Sequence, residues 1–536
     1  MWQQGYLPIA GSLAWSTLAA ALPIFVLLLL IGVFRRPAWI AALAGLATAA
    51  AVAIGVYGMP VPLAASSTLY GAAFGLFPIG WIVYWAIVLY RLTVETGNFE
   101  IIKDSIGGLT SDRRMQAMLI AFALGAFVEG AAGFGTPVAV AAAMMAGLGF
   151  SPFFAAGICL LANTAPVAFG SIGIPVVTLA QITGLPMNEL SAWVGRLCAP
   201  LSLFIPAYLI LVMGGMRALR GVLPAAIVCG LGFASVQFLI SNFVGPYLVD
   251  IIASLVAVLA LVALLKVWQP RDEFHLEGES QAVLKIEQHG IGSTVLAWSP
   301  YLFLVLFVLL WGTSWGSSVL NKVSVSFAWP GLNNLVQRTA PVVQTPSPYA
   351  AVFNLNWLAA AGTACGLATV AGAIALRFSP LAYIRLLGSV AKQLAFPLLT
   401  IAAVLGLAFL MNYSGATVTL GLAFAATAAL FPFFSSLLGW LGVFLTGSDT
   451  SSNALFGYLQ VVTAKQLALN PAIMAAANSA GGVMGKMISL QSLAVAVAAT
   501  GMARSEEGKL FRFTIKHSIF LAALIGCLTA VYAYLA

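Results

Sequence analysis

Apolar runs of about 20 residues, the length a helix needs to cross a bilayer, recur along the whole chain. Leu18–Val33, Ala38–Val56, Val222–Ile240, Ile251–Lys266, the run ending Tyr301–Trp311, and Phe520–Ala536 are examples. They lack the strict alternation of apolar and polar positions that strands of a membrane barrel show, so they predict helices. The polar stretches between them are short, and none reads as a separate soluble domain.

Composition agrees. Of 536 residues, 62% are hydrophobic and 7% charged, against roughly 25% charged in a soluble domain. The expectation is an all-α polytopic membrane protein with about 12–14 transmembrane helices. The net charge of +8 does not point to nucleic acid, because Lys and Arg cluster between spans, as they do on the cytoplasmic side of membrane proteins. Arg35 and Arg36, the segment Arg91–Arg114, Arg217 and Arg220, Lys266 to Lys285, Arg377 to Lys392, and Arg504 to Lys516 therefore read as cytoplasmic. The uncharged stretch Gly58–Ser67 and the Ser-, Asn- and Pro-rich segment 312–349 read as external. Both termini then fall outside the cell. The first apolar stretch has no charged leader or cleavage site, so it reads as a retained span. Five cysteines are scattered through apolar segments and read as small core residues.

Self-comparison adds an internal repeat. LGAFVEG (Leu124–Gly130) matches LGVFLTG (Leu441–Gly447), 317 positions on. ANTAPVAFG (Ala162–Gly170) matches ANSAGGVMG (Ala477–Gly485) at 315, Pro78 matches Pro397 at 319, and Ile182–Gly184 matches Ala499–Gly501 at 317. The basic loops of the two copies do not coincide. Arg91–Arg114 is basic, while its counterpart Asn412–Phe433 has no Lys or Arg; Ala503–Lys516 is basic, while Leu185–Leu190 is not. Under the charge rule the copies face opposite sides of the membrane, the inverted-topology repeat typical of secondary transporters. The expected domains are N-terminal helices at 1–77, a first repeat at 78–215, connecting helices at 216–396 with a cytoplasmic loop 269–292 and an external loop 312–349, and a second repeat at 397–536.

Charges at membrane depth are costly and functional by default. Glu129, Asp449 and Lys486 lie in or beside the repeated motifs, and Arg196 is a further candidate. GAFVEGAAGFGTP (Gly125–Pro137) is too rich in glycine to be one regular helix. LTGSDTSSNAL (Leu445–Leu455) is full of residues that favour caps and turns. Broken segments at membrane depth line cavities or are buried in protein. They predict re-entrant hairpins whose half-helix N-termini, with free N–H groups and positive dipole ends, attract anions. The candidate substrate-binding set is Gly133, Gly135, Thr136, Asn163, Thr164, Ser448, Thr450, Ser451, Ser452, Asn453, Asn478, Ser479, Lys486 and Gln491. Glu129 and Asp449 are the proton-coupling candidates; a paired structural acid and a helix cap are their bland alternatives. Lys486 balances an anionic substrate, or snorkels to an interface.

Other chemistries find little support. The three histidines, His275, His289 and His517, lie in or beside cytoplasmic loops, and no H-E-x-x-H zinc motif appears. No histidine lies in a predicted span to serve Ser448 as the base of a hydrolase. No metal, cofactor or enzymatic activity is expected. An anion channel is a different-class alternative, since broken helices also build filters.

At GAFVEGAAGFGTPVAV, LANTAPVAFGSIGIP, LTGSDTSSNALF, ANSAGGVMGKMIS and LFRFTIKHS the chain resembles the lactate permease family of bacterial carriers. SNFVGPYLVDIIASL and NYSG extend the resemblance from about Pro78 to the end. It implies proton-coupled symport of L-lactate, with D-lactate and glycolate, across the cytoplasmic membrane. It also implies, more distantly, an elevator-like shift of a repeat-built transport domain. Carriers of other small carboxylates and sodium-coupled carriers are the alternatives. The chain departs from the family pattern at Leu490, where proline is expected, and at Gly195–Pro200.

Overall fold

In the computed structural model the described residues are 1–535 without 134, 273 and 275–286. Much of the loop expected at 269–292, with His275 and Lys285, lies outside the described residues. The fold is helical and multi-pass: 11 described helices are long and apolar enough to cross a membrane, or 12 if the bent pair Pro152–Ala162 and Val167–Thr183 is one span. The run Met187–Phe243 has 57 residues, about 85 Å of helix at 1.5 Å per residue and nearly three times a bilayer core. It breaks at Gly214 and Gly215, where φ is −153° and +67°, and Gly230 backs onto the Leu203 carbonyl. Its two halves therefore lie side by side, and each is long enough to cross.

The polar segments gather at two ends of the bundle. At one end, Trp2–Gln3 pairs in parallel with Val336–Gln337, Ser66 donates to the Pro330 carbonyl, and Tyr413 donates to that of Ala350. These are the N-terminus and the stretches read as external. The segment expected only as a loop carries small sheets: Val325–Ala328 pairs antiparallel with Val352–Leu355, and Val336–Arg338 bonds to Ser347–Pro348. Strands of two to four residues are too short for a periodic signal. The long helical run Val61–Glu95 leads to the other end, where the basic loops meet. His289 bonds Asp104 at 2.8 Å, and Arg114 bonds Asp112 and Asp272 at 2.7 and 2.8 Å.

Arg114 reads as a loop charge in the sequence, yet its side chain is fully buried. It holds the Asp272 carboxyl below the usual carboxylate range, through its hydrogen bonds and then its charge. A depressed carboxyl stabilises the fold above its ordinary pKa, and the gain disappears as pH falls through the folded value. Asp272→Asn is therefore expected to lower stability near neutral pH. Asp272 is half exposed, so solvent screens the pair and the loss is about 1 kcal/mol. Melting midpoints of the two proteins should converge as the pH is lowered below 4, roughly the ordinary pKa of Asp; a difference that persists there removes the ion pair as its cause.

Two hairpins enter the bundle from opposite ends. The first descends through the fully buried run Arg113–Ala131, turns at Gly133 and Gly135 (φ +61° and +84°), and returns as Thr136–Gly147. Its open ends meet among the basic loops, where Arg113 donates to the Leu148 carbonyl at 2.6 Å. The second runs down Phe431–Thr446, turns at Gly447 (φ +73°), and returns as Asp449–Gln466. Its open end lies at the sheet end, where Gln466 donates to the Pro341 carbonyl. Each hairpin is followed by an interrupted helix. Pro152–Ala162 and Val167–Thr183 meet at 62°, with left-handed backbone at Ser171, Ile172 and Gly173. Pro471–Lys486 gives way to Leu490–Thr500, which Ser489 caps by accepting from the Ser492 N–H.

Candidate functional site

The two hairpin turns and the two helix breaks converge on one cavity of about 440 Å³. Glu129, Thr136, Gly170, Ser171, Ile174 and Pro175 line it from the first hairpin and break. Thr446 to Ser451, Lys486 and Gln491 line it from the second. The facing wall is a different part of the chain: Leu27, Ile31, Ala38, Trp39 and the helical stretch Gln393 to Val404. Ile31 and Ala38 flank the turn bearing Arg35 and Arg36, so the cavity reaches toward that basic end.

Its electrostatics follow from where helices begin. Thr136–Gly147, Asp449–Gln466 and Leu490–Thr500 all start at or beside the cavity wall. Their first N–H groups and positive dipole ends favour an anion there. Ser448 caps the second of these by accepting from the Ser451 N–H at 3.2 Å. Lys486, at the last turn of Pro471–Lys486, adds an amino group that brings positive charge when protonated. Its ammonium donates to the Gly447 carbonyl at 2.6 Å and is not snorkelled to a surface: only 6% of the residue is exposed. It acts electrostatically on both Glu129 and Asp449. Among the described residues neither acid forms a direct ion pair with it.

The acids are equally buried, Glu129 at 4% and Asp449 at 3% exposure. Glu129 accepts from Asn163 Nδ2 at 3.0 Å. Gly170 lets it sit close, since a Cβ there would meet Glu129 Oε1 at 2.5 Å. Asp449 accepts from Ser479 at 2.5 Å and from Asn453 at 3.3 Å, while its Oδ1 has no partner among the described residues. Asn453 also donates to the Pro175 carbonyl at 3.1 Å, joining the second hairpin to the first break. Asn478 donates to Asn453 and accepts from Gln460, which is itself bonded by Ser435. The matching asparagines thus play different parts: Asn163 holds an acid directly, whereas Asn478 holds the residue that does.

Of the residues singled out in the sequence, Glu129, Thr136, Ser448, Asp449, Thr450, Ser451, Lys486 and Gln491 stand on the cavity wall. Asn163, Asn453, Asn478 and Ser479 stand behind it as hydrogen-bond partners. Gly133 and Gly135 form the first turn. Ser452 bonds the Gly439 carbonyl and Thr164 that of Leu161, so both hydroxyls are spent on backbone. Arg196 stands apart from the cavity, with its Nε on Asn242 and its guanidinium over Trp193. The sequence reading missed Ser171, Gln393 and Thr400 on the wall, and the buried acid Asp250 behind it. Among the described residues no group of His, Cys, Asp or Glu gathers as a metal site.

The family profile described as L-lactate permease matches residues 16–536. The chain is 45% identical to the L-lactate permease of Bacillus subtilis over 98% of both chains. It is 42% identical to the glycolate permease GlcA of Escherichia coli, over 99% of this chain and 98% of that one. Among solved structures it is similar to the MtrF protein of Neisseria gonorrhoeae, at 12% identity and a TM-score of 0.43, over 88% of this chain and 83% of that one.

Proposed function

The chain belongs to the L-lactate permease family, and from that premise we propose that it carries lactate-like 2-hydroxy monocarboxylates together with protons. The observation that carries this reading is one cavity holding helix N-termini, the Lys486 ammonium and two buried carboxyl groups. Helix N-termini and the ammonium suit the substrate carboxylate. Ser448, Thr450, Ser451 and Gln491 offer partners for its hydroxyl. Leu27, Ile31, Trp39 and Phe396 suit its small apolar end. Both lactate and glycolate fit this chemistry, in keeping with the names of the relatives.

Proton coupling follows from charge. A site with one cation and two acids is less receptive to an anion when both acids are ionised. A proton on Glu129 or Asp449 removes one negative charge and favours the substrate, and by linkage the substrate favours the proton. We read the two hairpin-plus-break units as inverted repeats, supported by hairpins that open at opposite ends. The split lining, hairpin turns on one side and a largely apolar wall on the other, is what a sliding transport unit needs. With the basic loops on the cytoplasmic side of a bacterial inner membrane, both termini lie outside and the cavity reaches toward the cytoplasm.

The test is uptake of labelled L-lactate by proteoliposomes holding this protein alone. Accumulation is expected to need an inward proton gradient, to ignore sodium, and to collapse with a protonophore. Glu129→Gln and Asp449→Asn, made separately, should abolish accumulation in at least one case. Accumulation driven by sodium, or both variants accumulating fully, sinks the proton reading. Failure of lactate with success of another carboxylate moves the substrate.

A further inference from the structure

Asp250 lies in the first turn of Val249–Val267 and is 1% exposed, yet among the described residues neither carboxylate oxygen has a hydrogen-bond partner. An acid in a first turn ordinarily accepts from its own helix's free N–H groups; here it does not. It packs against the first hairpin at Gly130, where a Cβ would stand 2.8 Å from its own Cβ. Gly130 follows Glu129 directly. The segment before Asp250 closes on the same region, with the Pro246 carbonyl 2.6 Å from where Gly173 would carry a Cβ. Two further buried acceptors nearby are also unpaired. Asn163 gives its Nδ2 to Glu129 and leaves Oδ1 bare. Gln237 gives its Nε2 to the Ala165 carbonyl and leaves Oε1 bare. The ionisable groups acting on or near Asp250 are Glu129 on the hairpin and Cys198 on the run Met187–Phe243, an acid and a thiol. Among the described residues a bare carboxylate there has neither a donor nor a cation to support its charge.

We propose that Asp250 is a second proton-carrying carboxyl of the transport cycle, holding a proton in this conformation and exchanging it with Glu129 across Gly130. The two carboxyl groups are not in hydrogen-bond contact, so the transfer runs through a bridging water: the O–H bond on Asp250 breaks as one forms on the water, a water O–H breaks as one forms on Glu129, and the negative charge moves the opposite way. Asp250 does not touch the cavity, so it stores a proton without competing for the substrate anion. Gly130 is the residue that permits the approach. The inference rests on the proton-coupled reading above.

Proteoliposomes separate the two claims. Wild-type accumulation driven by a proton gradient tests the reading itself; if that fails, the proposal falls with it. Given wild-type coupling, Asp250→Asn is expected to lose accumulation by on the order of tenfold or more, the size of a typical coupling. It should still exchange labelled for unlabelled lactate across the membrane, a process with no net proton movement. Asp250→Glu, which restores the acid, should recover accumulation. Infrared spectra of the wild type should show a protonated-carboxyl carbonyl band that D250N lacks. D250N accumulating like the wild type with the same pH profile overturns the proposal. So does loss of both exchange and accumulation without rescue by D250E, which marks a structural role. A wild-type minus D250N difference spectrum with no loss in the protonated-carboxyl region, where Glu129 and Asp449 also absorb when protonated, assigns the proton elsewhere and overturns it as well.

Discussion

Lys486→Met is expected to weaken lactate binding by roughly a hundredfold. A charge-assisted hydrogen bond contributes about 1.5–3 kcal/mol, and the upper figure suits an ammonium this buried. Methionine keeps most of the length and apolar stem of lysine, so the cost falls on the charge. It also leaves Glu129 and Asp449 without the lysine they share. Lys486→Arg keeps the charge but brings a planar fork that must fit beside the Gly447 carbonyl and Gln491. It should recover only part of the affinity. Binding measured by ligand-induced thermal shift, alongside uptake KM, checks this. A K486M protein with the wild-type KM shows that the ammonium does not meet substrate.

The second large effect is structural. A methyl group on Gly439 would overlap the Asn478 carbonyl, and one on Gly481 would overlap that of Ser436. Helices Phe431–Thr446 and Pro471–Lys486 therefore touch backbone to backbone, the small-residue packing that membrane helices use in place of a hydrophobic driving force. Gly439→Ala is expected to cost about 3 kcal/mol through overpacking. It should also disturb transport, because Asn478 bonds Asn453 and through it Asp449. Gly388→Ala is the control: that helical glycine has open space around it, and alanine there should be neutral or stabilising by about 0.5–1 kcal/mol. Melting midpoints in detergent compare the two. Equal midpoints for G439A and G388A would show that the helices part without cost.

What the sequence revealed, and what it hid, follows from contrast. Glu129, Asp449 and Lys486 stand out because almost nothing around them is charged, and the glycine- and serine-rich stretches beside them mark the breaks. The hairpins and their helix starts were legible for that reason. The facing wall was not: Leu27, Trp39 and Phe396 look like any other apolar residues of a span, and only three-dimensional placement sets them over a cavity. Asp250 was hidden by position, since an acid at the start of an apolar run reads as an ordinary helix-dipole partner. Arg196 is the converse case. Its charge suggested the site, but Asn242 and Trp193 occupy it elsewhere. Arg114 was hidden by its neighbours, because a basic loop gives no sign that one of its charges is buried and paired with two aspartates, one of them half exposed.

The bond from Asn453 to the Pro175 carbonyl links positions 278 residues apart. A growing chain emerges at about 5–20 residues per second, so the carbonyl waits roughly a quarter of a minute to a minute for its partner. Through that interval the first break sits at membrane depth with its site unfinished. The early half is thus a part held in readiness during synthesis, and only translation of the late half completes it.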